Sequence, residues 1–207
     1  MRTSLAAACL LGLSACSTVQ PPARVVPQRT LAWRSVATEA DRQRLREWRT
    51  AFNDALRAAR ASGSAAEITR EGPLLEPDAA LSGGTIPNGT YRCRVIKLGA
   101  RSSGMLNYVA YPYFTCRIGP SGSLQSFAKV TGSQRQVGTI FPNDPLRQVF
   151  LGTIALGDEQ SAMQYGRDTE RDVAGYVERI GPNRWRMLMP RPAFESVMDV
   201  MELVPAG

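Results

Sequence analysis

Two textures divide the chain. Over 38–62, TEADRQRLREWRTAFNDALRAARAS, the apolar residues Leu45, Trp48, Phe52, Ala55, Leu56 and Ala59 fall on one stripe at helical spacing. Thr38 and Asp41 have the spacing of an N-terminal capping box, and Gly63 supplies the stop. Glu39 and Asp41 in the first turn, with Arg57 and Arg60 toward the last, suit the helix dipole. From Gly89 onward the period shortens to two, and short β-rich runs alternate with turn residues. The pattern predicts strands near 90–98, 107–118, 124–131, 134–141, 147–156, 172–180, 184–190 and 197–204. Between the textures, 65–88 reads as a Pro- and Gly-rich connection.

About eight short strands joined mostly by hairpin-length turns predict a mainly β (α+β) fold, an up-and-down barrel or a rolled antiparallel sheet, preceded by one amphipathic helix. The organisation expected is a leader over 1–15, a lipidated terminus and tether over 16–30, helix and connection over 31–88, and the barrel-like domain over 89–207. The arginines Arg42, Arg44, Arg46 and Arg49 would let the helix lie on anionic lipid. Glu47, Asp54 and the narrow apolar stripe favour docking on the domain instead.

Met1 to Ala15 carries one charge, Arg2, then an apolar run from Leu5 to Leu13, the pattern of an export signal. Its end, Leu13-Ser14-Ala15-Cys16, resembles the lipobox of bacterial lipoproteins, which implies that Cys16 is acylated with palmitate-type chains and becomes the membrane anchor. Ser17 resembles the residue found there in the outer-membrane class. Three prolines in 17–30 describe an extended tether; at about 3.1 Å per residue it would reach roughly 40 Å.

With Cys9 in the leader and Cys16 lipidated, Cys93 and Cys116 remain as one pair in an oxidising compartment. Tyr91, Cys93 and Val95 share one strand face and Phe114, Cys116 and Ile118 another, so one antiparallel register brings the sulfurs together as opposite members of a hairpin. The alternative is two buried thiols.

The chain has no histidine, which removes Ser-His-Asp, Cys-His and zincin chemistry. No phosphate-binding loop occurs, two cysteines cannot build a zinc cage, and no cofactor is expected. An enzyme would need a carboxylate pair of the glycan-cleaving kind, and Asp158, Glu159, Glu170, Asp172 and Glu178 offer one without any motif to single it out. Net charge is +7. Of 25 basic residues only Lys97 and Lys129 are lysine, a skew read as genome composition. The basic residues are spread along the chain, which argues against a nucleic-acid partner.

Function is therefore sought on the excursions 99–105 and 157–171, the latter a lid or short helix. If a cavity exists, Tyr108, Tyr111, Tyr113, Tyr165 and Arg167 are the candidate polar handles. The rings could equally pack the barrel wall.

The segments TLAWRSVATEADRQRLREW, GTYRCRVIKLG, YVAYPYFTCRI, FAKVTGSQR, RQVFLGT and FESVMDVMELVP together resemble a family of alphaproteobacterial envelope lipoproteins defined as a domain of unknown function (DUF4893-like). The resemblance covers nearly all of the chain after the tether and brings no site residues with it. In architecture alone, a lipid-anchored small barrel with one disulfide is similar to periplasmic protease inhibitors and lipocalin-like carriers. The reading that results is a non-catalytic, periplasm-facing lipoprotein of the cell envelope, in the outer membrane, binding a small or lipophilic ligand or serving a structural role. An interaction or inhibitor-like module with an envelope protein as partner is the alternative, followed by a carboxylate-dependent glycan-acting enzyme.

Overall fold

The computed structural model describes residues 31–207. The leader, Cys16 and the tether lie outside the described residues.

Nine strands follow a helical arm: β1 (Gly89–Ala100), β2 (Tyr108–Ala110), β3 (Phe114–Ser121), β4 (Leu124–Lys129), β5 (Gln134–Phe141), β6 (Arg147–Leu156), β7 (Asp172–Gly181), β8 (Arg184–Pro190) and β9 (Ser196–Pro205). All neighbours are antiparallel, and β9 pairs back with β1 from Tyr91↔Pro205 to Ala100↔Ser196, closing an eight-stranded barrel. Closure leaves no long unpaired edge. The extra strand, β2, takes the edge of β1 at Ile96–Leu98, beyond the stretch where β3 occupies it.

Predicted strand 107–118 is in fact two strands. Pro112 has no N–H to give the ladder, and the chain between Tyr111 and Tyr113 leaves the sheet there. Predicted opposition of the cysteines also needs correction. Tyr91 faces Cys116 and Cys93 faces Phe114, so the sulfurs meet diagonally on one face, bonded with a Cα–Cα distance of 5.9 Å.

The barrel interior is packed with side chains. Inward residues include Ile118, Phe127, Phe150, Trp185, Met187 and Met201 around the disulfide. Phe150 fits because three glycines surround it. Gly175 is its direct partner on β7, and Gly138 and Gly152 face each other across β5 and β6. A Cβ on Gly152 would strike the Phe150 ring, and one on Gly138 would strike the Leu151 carbonyl oxygen. Small residues beside large ones let a narrow barrel fill without voids.

The helical arm covers the outer wall. It comprises α1 (Trp33–Val36), α2 (Glu39–Arg46), α3 (Trp48–Ala61), α4 (Ala65–Glu71) and a 3-10 turn (Gly72–Leu75). The predicted 38–62 helix is present with a kink at Glu47: the Thr38 hydroxyl accepts from the Asp41 N–H, and Gly63 takes φ +100°. Its stripe is buried as expected. Ala51, Ala55 and Ala59 let α3 approach β1, where the Ala55 Cα would lie 3.1 Å from a Cβ on Gly99. Predicted connection 65–88 instead begins with α4, since Ala65-Ala66-Glu67 are helix formers and Gly72, at φ +55°, ends the run. Excursion 157–171 holds turns and no helix.

A fully buried arginine ties arm to barrel. Arg186 on β8 pairs with Glu178 at 2.7 Å and donates to the carbonyls of Pro73, Leu74 and Glu76 at 3.0, 3.0 and 2.7 Å. The Pro73 and Leu74 carbonyls belong to the 3-10 turn that ends the arm, and the Glu76 oxygen accepts from the Ala79 N–H as well.

Candidate functional site

Alternation along each strand decides what faces the axis, and at one end of the barrel that inward series turns polar. On β1 it runs Tyr91, Cys93, Val95, Lys97; β4 presents Phe127 and then Lys129. β5 brings Gln134 and Gln136 to the same end, and β9 brings Asp199. These side chains, with Tyr111, Phe114, Ser133 and Glu195, line a cavity of about 150 Å³. Both lysines of the chain stand in it, 8% and 5% exposed.

The two amines are held differently. Lys97 Nζ lies 3.2 Å from Asp199 Oδ2 and 3.1 Å from Glu195 Oε2. Burial alone would lower its pKa, but Asp199 and Glu195 outweigh burial and leave it raised. Asp199 is itself pushed up by complete burial, against the pull of Lys97, and accepts from the Ser196 hydroxyl. Glu195 reaches the mouth from a left-handed backbone at φ +67°, a conformation costly for a residue with a side chain.

Lys129 has no carboxylate within ion-pair distance among the described residues. Its Nζ donates to the Gln134 carbonyl at 2.8 Å and sits 3.8 Å from the centre of the Phe114 ring. Burial, then the charges of Lys97 and Arg135, push the amine down to about 8. Gly132 makes room for it, since a Cβ there would lie 2.8 Å from Nζ. Across the cavity Gln136 Oε1 is buried without a hydrogen-bond partner among the described residues. A buried acceptor of that kind costs about 1–3 kcal/mol unless a ligand or water donor meets it. The site thus offers an ammonium or amine donor, an unmet acceptor and an aromatic floor.

Of the predicted handles, only Tyr111 lines this cavity. Tyr108 donates to Glu71 Oε1 at 3.3 Å and Tyr113 to Glu202 Oε2 at 2.8 Å, both in an ion network on the outer wall centred on Arg94. Tyr165 faces the helical arm, donating to Asp41 Oδ2 at 2.5 Å and accepting from the Thr38 N–H. Arg167 is exposed. The five therefore form no single site: Tyr108 and Tyr113 share the outer network, and Tyr111, Tyr165 and Arg167 lie elsewhere.

The candidate carboxylates are likewise dispersed. Glu178 is committed to Arg147 and Arg186, and Glu159 to Arg171 and the Leu156 N–H. Asp172 is buried, accepting from the Gly166 N–H. Asp158 and Glu170 are exposed. Lys97 and Lys129 were missed because the lysine count was taken as composition. The available signal was that both end a series of inward-facing strand positions.

No curated protein and no solved structure matches the chain. Residues 33–203, from the first helix of the arm to the strand that closes the barrel, match one family, and the chain belongs to it: the domain of unknown function DUF4893.

Proposed function

We propose that this is an envelope lipoprotein, anchored through an acylated Cys16, whose barrel carries a small polar ligand at the end lined by Lys97 and Lys129. The observation that supports it most is the cavity's pairing of a counter-ion-free Lys129 with the unmet Gln136 Oε1. Together they complement a molecule with an acceptor oxygen beside a hydroxyl donor, the pattern of a small hydroxy acid. A lipophilic cargo fits less well, because the axis is filled by Phe127, Phe150, Trp185 and Met187. Ligand binding here is non-catalytic.

With only two lysines, the ε-amines labelled with ¹⁵N give two resolvable signals. Titration with glycolate should move the Lys129 signal saturably and leave the Lys129→Arg protein without a response. Unmoved signals at millimolar glycolate, and at millimolar glyoxylate, would overturn the reading. For the anchor, acyl label should enter the wild-type chain and not Cys16→Ala.

A second reading has its own observation. The loop between β1 and β2 exposes Met105 and Leu106, the latter 73% exposed. A partner protein would cover them, and crosslinking through a Leu106 photoprobe in envelope extract should then give one defined adduct that competes with soluble loop peptide.

A further inference from the structure

Within the site just proposed, the amine of Lys129 has the surroundings of a nucleophile. It is an amine, where the chain's other basic residues bar Lys97 are guanidiniums that do not add to carbonyls. It lines a cavity open to a small molecule and lacks a carboxylate that would hold its proton. Groups facing it are Lys97 from β1, Arg135 and Gln134 from β5, Phe114 from β3, and, across Lys97, Asp199 from β9 and Glu195 just before it. Two of these are cations and act against its protonation. Lys97, held charged by Asp199 and Glu195, keeps a proton within the same cavity.

We infer that Lys129 captures small aldehydes or α-keto acids as an imine, with Lys97 as the acid that expels water. The Lys129 nitrogen lone pair attacks the carbonyl carbon, the C–N bond forms, and the carbonyl π pair moves to oxygen. One nitrogen proton transfers to that oxygen, giving a carbinolamine. Lys97 then gives a proton to the hydroxyl, which leaves as water while the C=N bond forms. The remaining nitrogen proton returns to Lys97. One amine and one carbonyl give one imine and one water, with no oxidant or reductant. The step makes one adduct per chain and explains the choice of lysine at a cavity otherwise ringed by arginine-rich strands.

The inference rests on ligand entry to this cavity, and its test separates the two. The full chain is treated with glyoxylate and sodium cyanoborohydride at pH 7, which reduces an imine to a stable N-carboxymethyl amine, and the modified residue is mapped by mass spectrometry. The expected result is one adduct, at Lys129, forming on the order of tenfold faster than on free N-acetyl-lysine amide, the balance of a larger neutral fraction and a weaker base. Lys129→Arg should fold, by circular dichroism, and give no mapped adduct there. Lys97→Met should move the pH midpoint of labelling to higher pH, whereas Lys97→Arg, which keeps the charge but does not give and take the proton, should leave the midpoint in place and lower the rate severalfold. Equal labelling of Lys97 and Lys129, or equal rates on folded and urea-unfolded chain, overturns the inference. Glycolate shifting the Lys129 signal while glyoxylate leaves no adduct also overturns it and preserves the binding site. Failure of both removes the site itself.

Discussion

Lys129 is held in the folded protein against its own charge, and pH reveals the cost. Its folded pKa of about 8 lies below the ordinary lysine value of about 10.4, so between these the unfolded chain binds more protons. Stability therefore rises with pH across that window, by about 1 kcal/mol from pH 7.5 to 9, above which the ionisation of tyrosines whose folded values are raised by burial, Tyr108 and Tyr165 among them, opposes it. Urea midpoints at pH 7.5 and 9 should show the rise in wild type and a nearly flat profile in Lys129→Met. Equal slopes in both proteins would place the lysine in an ordinary environment. Cys93 and Cys116 act at the same scale: their bond closes a separation of 23 residues, and a Cys93→Ala/Cys116→Ala chain should lose about 3 kcal/mol in urea unfolding. That cysteine pair was legible in the sequence from parity and strand face. Its diagonal register was not, because the β1–β3 offset is set where Pro112 ends one strand and starts another.

At the scale of elements, the arm and barrel depend on a few contacts that cannot be exchanged for bulk hydrophobicity. Arg186→Met leaves Glu178 with Arg147 alone and removes the guanidinium that meets the carbonyls of Pro73, Leu74 and Glu76. A loss of about 3 kcal/mol is expected, with new protease cleavage around 65–78 before the barrel is cut. Wild-type resistance there would show that the arm is fixed by its apolar face. Gly138→Ala should cost about 1–3 kcal/mol by forcing the paired β5–β6 backbones or Phe150 to move, whereas Thr139→Ala, at a half-buried position of the same strand, adds no atoms and should cost less. The Thr38–Gly63 helix and most strands were readable because capping, stop residues and periodicity agree locally. Helix α4 was hidden by the prolines and glycines that follow it, and β2 by an aromatic run that disguises a break.

For the whole molecule, closure is what creates the site. Lys97 and Lys129 stand on β1 and β4, which are not neighbours in the sheet, and only the barrel brings their inward ends together with Asp199 from the closing strand. Strand periodicity could assign each lysine to a face. Without the register it could not say that both occupy one end, and the same gap hid that, of the tyrosines prominent in sequence, Tyr111 alone lines that cavity while Tyr108, Tyr113 and Tyr165 bond outside the barrel. An interior packed from the disulfide to Phe150 leaves its open space at the mouth that the two lysines line. The most direct measurement is a pH titration of the two ¹⁵N-labelled lysine ε-amines in the folded chain. One should titrate near 8 and the other above the ordinary lysine range, with the assignments fixed by Lys129→Arg. Two amines titrating together at about 10.4 would mean that no such mouth exists.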